Sequence, residues 1–316
     1  MVKAQVASAR EPRALGLVGA VIVAYNPDLA VLQESVSVVE SQVSRVILLD
    51  NDSSAPIGPR LSLGMNTLAI RLPDNLGLGA AQNRGVEEAR KHGCELVLFR
   101  DQDSVPSREM VVALTRAFDF LSAKGNRIAA VGPQHIDPRH VDPRQGQDRA
   151  RSNFDRADSP GSSSGYFRTD FLLSSGSLVP LDVLNEVGLM DPSLFIDSTD
   201  RDWCFRAIHK GYELYRCEDS TLTHRLGDRL RCIWPIPKVY EAVHQPQRLY
   251  FMMRNRVLLY QRSYVPMQWI VADIPRMVGK IALAVIFGPD RRSRLFFIIA
   301  GVWHGIKGKA GPYPAE

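Results

Sequence analysis

The chain has 316 residues, of which 45% are hydrophobic and 23% are charged, a composition ordinary for a globular protein. Its length suits one large domain, or one domain with a sizeable appendage. The net charge of +5 favours an anionic partner, such as a nucleotide or an acidic membrane surface. A nucleic-acid partner is disfavoured, because the basic residues concentrate in an apolar C-terminal segment and not between exposed aromatic residues.

The cysteines and the N-terminus indicate a reducing compartment. Cys94, Cys204, Cys217 and Cys232 lie far apart and form no CxxC pair, which argues against a zinc site or a disulfide framework. Residues 1–15 contain no apolar h-region, so we expect a flexible N-terminus without a signal peptide. The sequence therefore predicts a cytoplasmic protein.

Short strand-like runs alternate with helical patterns through the first half of the chain. Strands are predicted at "VGAVIVAY", "RVILLD", "TLAIRL" and "ELVLF", and helices at "AVLQESVSVVESQV" and "GLGAAQNRGVEEARKHG". Gly93 is placed to end the second of these helices. This alternation predicts an α/β fold in which a doubly wound, mostly parallel sheet carries helices on both faces.

Four polar segments follow the predicted strands: "YNPD", "DNDSS", "DNLGLG" and "DQDS". In sheets of this kind ligands bind beyond the carboxyl ends of the strands, so these segments should converge on one rim. In an extended segment alternate residues share a face, so Asp101 and Asp103 of "DQDS" can reach one object. A hard divalent cation takes oxygen ligands, often one or two carboxylates together with substrate phosphates. A solvated aspartate turn is the alternative.

The other polar segments carry groups suited to a nucleotide. Asp50 and Asn51 could hydrogen-bond a nucleobase edge or a ribose hydroxyl. Asn75, Gly77 and Gly79 precede a helix and suggest a phosphate-binding loop, although a tight strand-to-helix turn explains the glycines equally well.

After these strands the chain becomes polar and then compact again. Residues 135–165 are rich in Pro, Gly, Ser and Arg, which favours a flexible surface insertion, with a substrate-contacting lid as the alternative. The segment that follows contains "FIDSTDRDWCFRAIHKGYELY" and "LTHRLGD".

Together with "IVAYNPD", "LLDNDSS", "DNLGLGAAQNRG" and "LFRDQDS", these motifs resemble the inverting family-two glycosyltransferases with the GT-A fold. The set is most similar to their rhamnosyltransferase branch, in which DQDS, FIDxxDxxWCxR and HxxGD elements recur. The resemblance covers about residues 16–230, which we expect to form one GT-A domain.

The resemblance implies a role for each donor-side residue. Tyr25, Asn26, Asp50 and Asn51 would hold the base and ribose; Asn75, Gly77 and Arg84 would line the diphosphate; Asp101 and Asp103 would bind the donor through Mg²⁺ or Mn²⁺. His224 would approach the metal or the diphosphate, and a packed or merely exposed histidine is the alternative. The implied donor is dTDP-L-rhamnose, with a UDP- or GDP-sugar as the alternative.

The catalytic base is expected in "FIDSTDRDWCFR". An inverting transfer needs one carboxylate that deprotonates the acceptor hydroxyl, and the candidates are Asp197, Asp200 and Asp202. Many family members carry a Glu-Asp pair where this chain has Thr199-Asp200, so the first acid is missing. Asp200 takes the aligned position and is the favoured base, with Asp197 as its competitor. Trp203 and Arg206 should brace the helix.

Residues 231–316 are expected to form an amphipathic helical region that associates with an anionic membrane surface. The longest apolar run, "WIVADIPRMVGKIALAVIF", carries charges near its middle that disfavour a membrane span. Helices lying in the interface fit better, and a helical subdomain packed on the core is the alternative. The residues expected at the interface are Trp269, Phe287, Phe296 and Trp303 in the apolar layer, and Arg291, Arg292, Arg294, Lys307 and Lys309 at the headgroups.

A membrane-facing tail suits a lipid-linked or cell-surface glycan acceptor at the inner face of the cell membrane. Two other classes of protein are disfavoured. A nucleotidyltransferase should carry a Gly-rich, Lys/Arg-bearing loop after its first strand, and "VAYNPD" does not. A catalytically inactive nucleotide-sugar-binding protein would keep the donor loops and lose the base, which the aspartates around residue 200 argue against.

Overall fold

The structure is a computed structural model, and it describes residues 17–136, 165–224, 229–232, 240–243, 245–286 and 290–314. These residues form an α/β domain followed by C-terminal helices. The strands are β1 (Val18–Ala24), β2 (Arg45–Asp50), β3 (Thr67–Arg71), β4 (Leu96–Asp101), β5 (Ser104–Pro106), β6 (Ile128–Ile136), β7 (Tyr166–Thr169), β8 (Leu178–Pro180), β9 (Glu213–His224), β10 (Arg229–Cys232) and β11 (Tyr240–Val243). The helices are α1 (Leu29–Glu40), α2 (Leu78–Lys91), α3 (Met110–Ala123), α4 (Leu181–Val187), α5 (Thr199–His209), α6 (Pro246–Tyr260), α7 (Met267–Ile286) and α8 (Arg291–Ile306).

Nine strands form one sheet in the order β3-β2-β1-β4-β8-β6-β9-β5, with β7 paired to β9. The first four strands are parallel, as the alternation of strands and helices predicts. The sheet is nevertheless mixed, because β8 joins β4 antiparallel, and β5 and β7 join β9 antiparallel. The predicted α/β fold is confirmed, and the second half of its sheet combines the parallel pair of β6 and β9 with antiparallel strands.

The apolar strands are buried because helices cover both faces of the sheet. All seven residues of β1 are buried, and successive side chains alternate between two hydrophobic clusters. Ile22 belongs to the cluster that contains α1 and α3, whereas Val21 belongs to the one that contains α2 and α5. This alternation fixes the strand register and therefore the rim on which the strands end.

Three helices follow the α/β domain. Helices α6 and α8 cross closely at two glycines of α8. An added Cβ at Gly301 would lie 2.5 Å from the carbonyl oxygen of Tyr250, and one at Gly305 would lie 2.6 Å from the Cβ of Val257, so a larger residue would not fit at either position. In the part of the chain that the structure describes, no helix has the length and apolar character needed to cross a membrane. A short hairpin of β10 and β11 precedes α6 and was not predicted from the sequence.

Two expectations about the tail are wrong. Trp269 packs on the α/β domain, where its half-buried ring lies 5.0 Å from that of Phe205, so it does not project freely towards a bilayer. Arg294 is buried and cannot lie at the headgroups. Phe287 lies outside the described residues, as do residues 1–16 and 137–164, which contain the expected flexible N-terminus and most of the expected insertion.

Candidate active site

Hydrogen bonds join the loops that follow β1, β2 and β4. The backbone N–H of Asn26 donates to the Ser53 hydroxyl at 2.9 Å, and that of Tyr25 donates to Oε1 of Gln102 at 2.6 Å. Asn26 adopts a positive φ of 47°, which an asparagine tolerates better than most residues. The predicted convergence of "YNPD", "DNDSS" and "DQDS" is therefore observed, and Tyr25 is exposed at the rim.

The loop after β3 joins the same rim through paired asparagines. Nδ2 of Asn51 donates to Oδ1 of Asn75 at 3.0 Å. The two side-chain oxygens also accept from backbone N–H groups at 3.0 Å, Asn51 from Leu76 and Asn75 from Gly77. The amides thus set the path of the "DNLG" backbone into α2.

Asp50 is buried and braces its own loop. Its Oδ1 accepts from the backbone N–H of Ser53 at 2.8 Å, and its Oδ2 accepts from that of Ile57 at 3.1 Å. Arg71 adds an ion pair at 3.2 Å. Both carboxylate oxygens therefore have protein partners, and the role of Asp50 towards a nucleotide stays a prediction.

Gly77 is required where α2 meets the loop before α5. Its φ is +80°, and an added Cβ would lie 2.5 Å from the carbonyl oxygen of Phe195. The next residue, Leu78, donates its N–H to that same oxygen at 2.6 Å. The turn alternative therefore accounts for Gly77, which joins the donor-side rim to the segment of the expected base.

Arg84 is engaged along α2. Its guanidinium pairs with Glu87 at 2.9 Å and with Glu88 at 2.8 Å. Both glutamates lie on the side of Arg84 that is further from the N-terminus of α2. A diphosphate at that N-terminus would therefore compete with two carboxylates for the guanidinium of Arg84. That contact stays a prediction.

The "DQDS" motif begins at the last residue of β4 and leads into β5. Asp101 donates its backbone N–H to the hydroxyl of Ser175 at 3.1 Å, and the Asp103 side chain is exposed. Ser104 lies opposite His224 in the antiparallel pair of β5 and β9. The backbone of His224 is thereby brought beside the motif, as its predicted role requires, although its side chain is not among those described.

A buried arginine supports the same turn from behind. Arg100 is 1% exposed, and its Nη2 donates to the Ser35 hydroxyl at 3.0 Å and to the carbonyl oxygen of Ser104. Burial lowers the pKa of Arg100 to about 10, which still leaves it charged at neutral pH. Its charge lies close to those of Asp101 and Asp103, whose negative charges oppose that shift.

The aspartates at the start of α5 have different surroundings. Asp202 is fully buried and bound by Arg206 at 2.9 Å, and by Arg262 and Tyr264. This network occupies both of its oxygens and excludes Asp202 as a base. Arg206 therefore braces the helix as predicted, and so does Trp203, whose ring N–H donates to the carbonyl of Gly188 at 2.9 Å.

Asp197 and Asp200 remain as base candidates. Both oxygens of Asp197 are held by Arg248 of α6, at 3.0 and 3.1 Å. Asp200 accepts the backbone N–H of Arg201 at 2.8 Å. Burial raises the pKa of Asp200 to about 6, and the negative charges of Asp101 and Asp197 add to the rise while Arg201 opposes it. The negative charge of Asp101, at the end of β4, therefore acts on Asp200 at the start of α5.

The carboxylates of Asp101 and Asp103 could hold a divalent cation together with donor oxygens. Among the side chains that the structure describes, no group of three or more His, Cys, Asp or Glu residues forms a complete protein site. Mg²⁺ usually binds through one or two carboxylates and completes its shell with substrate phosphate and water, so a carboxylate pair on an open rim fits such an ion.

Sequence reasoning missed four residues that shape the site. Gln102 and Ser175 bind the backbone of the rim, as described above, and Arg248 and Asn255 contact the segment before α5. The position of Gln102 between two aspartates was a usable indication. No local pattern marks the other three, because each acts on a segment distant in sequence.

Comparison with known proteins identifies the domain. The sequence model of Glycosyl transferase family 2 matches residues 20–172. This chain carries a glycosyl transferase family 2 domain. The dTDP-rhamnosyl transferase RfbF of Shigella flexneri is 28% identical over 294 residues, which cover 92% of this chain and 96% of that protein. The family 2 domain and this relative support glycosyltransferase activity.

Solved structures of transferases with the GT-A fold confirm the predicted fold class. GalNAc-T7 with UDP, GalNAc and Mn²⁺ superposes over 92% of this chain with a TM-score of 0.55 and 13% identity. The chain spans 56% of that structure's length. S. aureus TarS in complex with UDP-GlcNAc superposes over 92% of this chain and 81% of its own, with a TM-score of 0.54 and 15% identity.

Proposed function

We propose that this family 2 protein transfers L-rhamnose from dTDP-L-rhamnose to a hydroxyl of a lipid-linked or cell-surface glycan, with inversion at the anomeric carbon. The donor is suggested by the Shigella flexneri relative, which is named a dTDP-rhamnosyl transferase. The single observation that carries the chemistry is the hydrogen bond from the Leu78 N–H to the Phe195 carbonyl oxygen at 2.6 Å, which joins the donor-side rim, with its "DQDS" motif, to the segment that leads into Asp200. A donor held by that motif would lie beside a carboxylate that can accept a proton.

The donor would bind across the rim that the strand ends form. Asp101 and Asp103 would hold Mg²⁺ or Mn²⁺, and His224 would approach the metal or the diphosphate. Such a cation neutralises the diphosphate that leaves, and the Mn²⁺ and UDP of the GalNAc-T7 structure support this assignment. The residues proposed to contact the nucleotide and diphosphate are Tyr25, Asn26, Asp50, Asn51, Asn75, Gly77 and Arg84.

Asp200 would act as the general base in a single displacement. Its carboxylate accepts the proton of the acceptor hydroxyl while the hydroxyl oxygen forms a bond to the anomeric carbon and the bond to the diphosphate breaks. With a pKa of about 6, Asp200 is mostly ionised at neutral pH and is more basic than an ordinary aspartate. Asp197 is a weaker candidate, because both of its oxygens already accept from Arg248.

The acceptor would be reached at a membrane surface, with the protein in the cytoplasm at the inner face. Large apolar side chains along one face of α7 and one face of α8 are between 41% and 69% exposed: Met267, Val271, Ile274, Val278, Leu295, Phe296, Ile299, Trp303 and Ile306. Exposed cations accompany these faces: Arg276, Arg291, Arg292, Lys307 and Lys309. Apolar faces bordered by cations suit an anionic bilayer.

The central measurement is the release of nucleotide from a panel of donors, with bacterial lipid-linked glycans as acceptors. We expect dTDP-L-rhamnose to be turned over in the presence of Mn²⁺ or Mg²⁺, and calorimetry should show that it binds more tightly than UDP- or GDP-sugars. Preference for a UDP- or GDP-sugar would replace the donor. Tight donor binding without release in any combination would favour a catalytically inactive nucleotide-sugar-binding protein.

A further inference from the structure

The segment that precedes the proposed base has an unusual backbone. Phe195, Asp197 and Ser198 have φ values of 63°, 64° and 65°, and none of the three is a glycine. Positive φ is unfavourable for residues with a Cβ and persists where the surrounding structure imposes it. Ser198 is also the N-cap of α5, and its side chain makes no capping hydrogen bond. The direction in which α5 begins is therefore set from outside the segment.

Asn255 of α6 supplies part of that restraint. Its side-chain nitrogen lies 2.9 Å from the carbonyl oxygen of Leu194, 2.7 Å from that of Ile196 and 2.8 Å from that of Asp197. The side chain is fully buried. Its Oδ1 accepts from Nε of Arg254 at 2.9 Å, and Arg254 also donates to the carbonyl of Leu194. The side-chain amide of Asn255 thus contacts three backbone carbonyl groups of the segment that contains the positive φ angles.

Arg248 holds the same segment by charge. It lies seven residues before Asn255 on α6, which places both on one face of the helix. Its guanidinium forms a two-point contact with Asp197, Nε to Oδ2 at 3.1 Å and Nη2 to Oδ1 at 3.0 Å. This contact also offsets part of the negative charge of Asp197, which lies three residues before Asp200.

We infer that Asn255 and Arg248 are positioning residues for the transfer, and that α6 is therefore part of the catalytic apparatus and not only a connection to the C-terminal helices. This inference rests on the proposed role of Asp200 as the base. Asn255 would fix the backbone of residues 194–197, and Arg248 would keep the Asp197 side chain from turning towards Asp200 and would weaken the effect of its charge there. Neither residue would contact the donor, so their loss should lower kcat and leave donor affinity nearly unchanged.

The test compares Arg248→Ala, Arg248→Lys and Asn255→Asp with the full-length protein. Arg248 is 40% exposed, so its removal leaves no buried cavity. Arg168→Ala is the control, since this exposed arginine of β7 pairs with Glu213 at 2.8 Å and not with the segment before α5. The Asn255 variant places an acceptor against three carbonyl oxygens, and hydrogen exchange of residues 194–198 reports its effect independently of activity.

We expect kcat for dTDP release from dTDP-L-rhamnose to fall by about ten- to a hundredfold in Arg248→Ala and Asn255→Asp, with the donor Kd within about twofold. Arg248→Lys should recover part of the loss, and added guanidinium should restore part of the Arg248→Ala activity but have no such effect on Arg168→Ala. Because Asp101, Arg201 and Asp197 are the charged groups acting on Asp200, freeing Asp197 in Arg248→Ala should also move the acidic limb of kcat/KM to higher pH.

Normal turnover in Arg248→Ala and Asn255→Asp, beside loss of turnover in Asp200→Asn, would overturn the inference and leave the proposed function standing. A fall in kcat in Arg168→Ala as large as the fall in Arg248→Ala would also overturn it. Normal turnover in Asp200→Asn would instead overturn the proposed base. In that case, hydrogen exchange still tests the role of α6. Unchanged exchange of the amides of residues 194–198 in Asn255→Asp would show that α6 does not restrain this segment, and faster exchange would show that α6 restrains it.

Discussion

Ser104 pairs with His224 across the antiparallel strands β5 and β9. The pairing places the "DQDS" motif beside the "LTH" motif, although more than a hundred residues separate them in the chain. It arises because β5 does not pair with β4, which it follows directly, but forms the far edge of the sheet against β9. Two motifs expected to act on one diphosphate are therefore neighbours in the backbone.

The first prediction concerns the metal. Asp103→Ala should abolish dTDP release and weaken donor binding in the presence of Mn²⁺, because it removes one of two proposed carboxylate ligands. EDTA should have the same effect on the wild-type protein. Glu109→Ala, which removes another exposed carboxylate, is the control and should behave as wild type. Wild-type activity that survives EDTA would rule out a metal-dependent transfer.

The second prediction concerns pH. Because the pKa of Asp200 is raised to about 6, kcat/KM should fall about tenfold for each pH unit below that value and level off above it. The pKa of an ordinary aspartate is 3.8, and folding raises that of Asp200 to about 6. The folded protein therefore loses stability as the pH rises between these two values, because Asp200 ionises less readily in the folded state than in the unfolded state. Asp200→Asn should therefore be at least as stable as the wild type at pH 7 in thermal unfolding. An activity plateau extending down to pH 4 would contradict the assignment.

The third prediction concerns the membrane. Deleting the tail is an unsuitable test, because α6 contacts the segment before α5. The double variant Ile299→Ser and Trp303→Ser changes only the exposed face of α8 and should weaken sedimentation with anionic vesicles by about tenfold or more. Salt should weaken wild-type binding. Met65→Ser is the control, since Met65 is exposed on the α/β domain. Equal sedimentation of the wild type, the double variant and Met65→Ser would exclude α8 as the membrane contact.

The fourth prediction separates turn geometry from phosphate binding at Gly77. Gly77→Ala should lower the free energy of unfolding by about 1–3 kcal/mol, because its φ is positive and the new Cβ would meet Phe195. Gly93→Ala is the control, as its φ is +72° but no atom lies within 4 Å of the added Cβ. A loss of donor affinity in Gly77→Ala with no loss of stability beyond that of Gly93→Ala would favour a phosphate contact instead.

The first half of the fold could be predicted because its determinants are local. Buried runs such as β1 and the glycine that ends α2 are readable within short windows, and the parallel order follows from the alternation of strands and helices. The convergence of Tyr25, Asn51 and Asp101 on one rim then follows from the topology.

The contribution of α6 to the site could not be predicted. Asn255 and Arg248 contact a segment more than fifty residues earlier in the chain, Asn255 at the backbone of that segment and Arg248 at the Asp197 side chain. Nothing in "RLYFMMRNRVLLY" indicates which of its polar residues faces inward. Composition assigned this stretch to a membrane-associating tail, and Trp269 and Arg294 were misplaced for the same reason: a residue's hydrophobicity or charge does not say what it packs against.

The most direct measurement is the rate of dTDP release from dTDP-L-rhamnose by Asp200→Asn, taken together with its donor affinity by calorimetry and with Asp197→Asn measured in parallel. Asparagine keeps the shape of the side chain but cannot accept the proton, so kcat should fall by about two to four orders of magnitude while the donor Kd stays within about twofold. Asp197→Asn should retain most of the activity. Near-normal turnover in Asp200→Asn beside a collapse in Asp197→Asn would contradict the account and assign the base to Asp197.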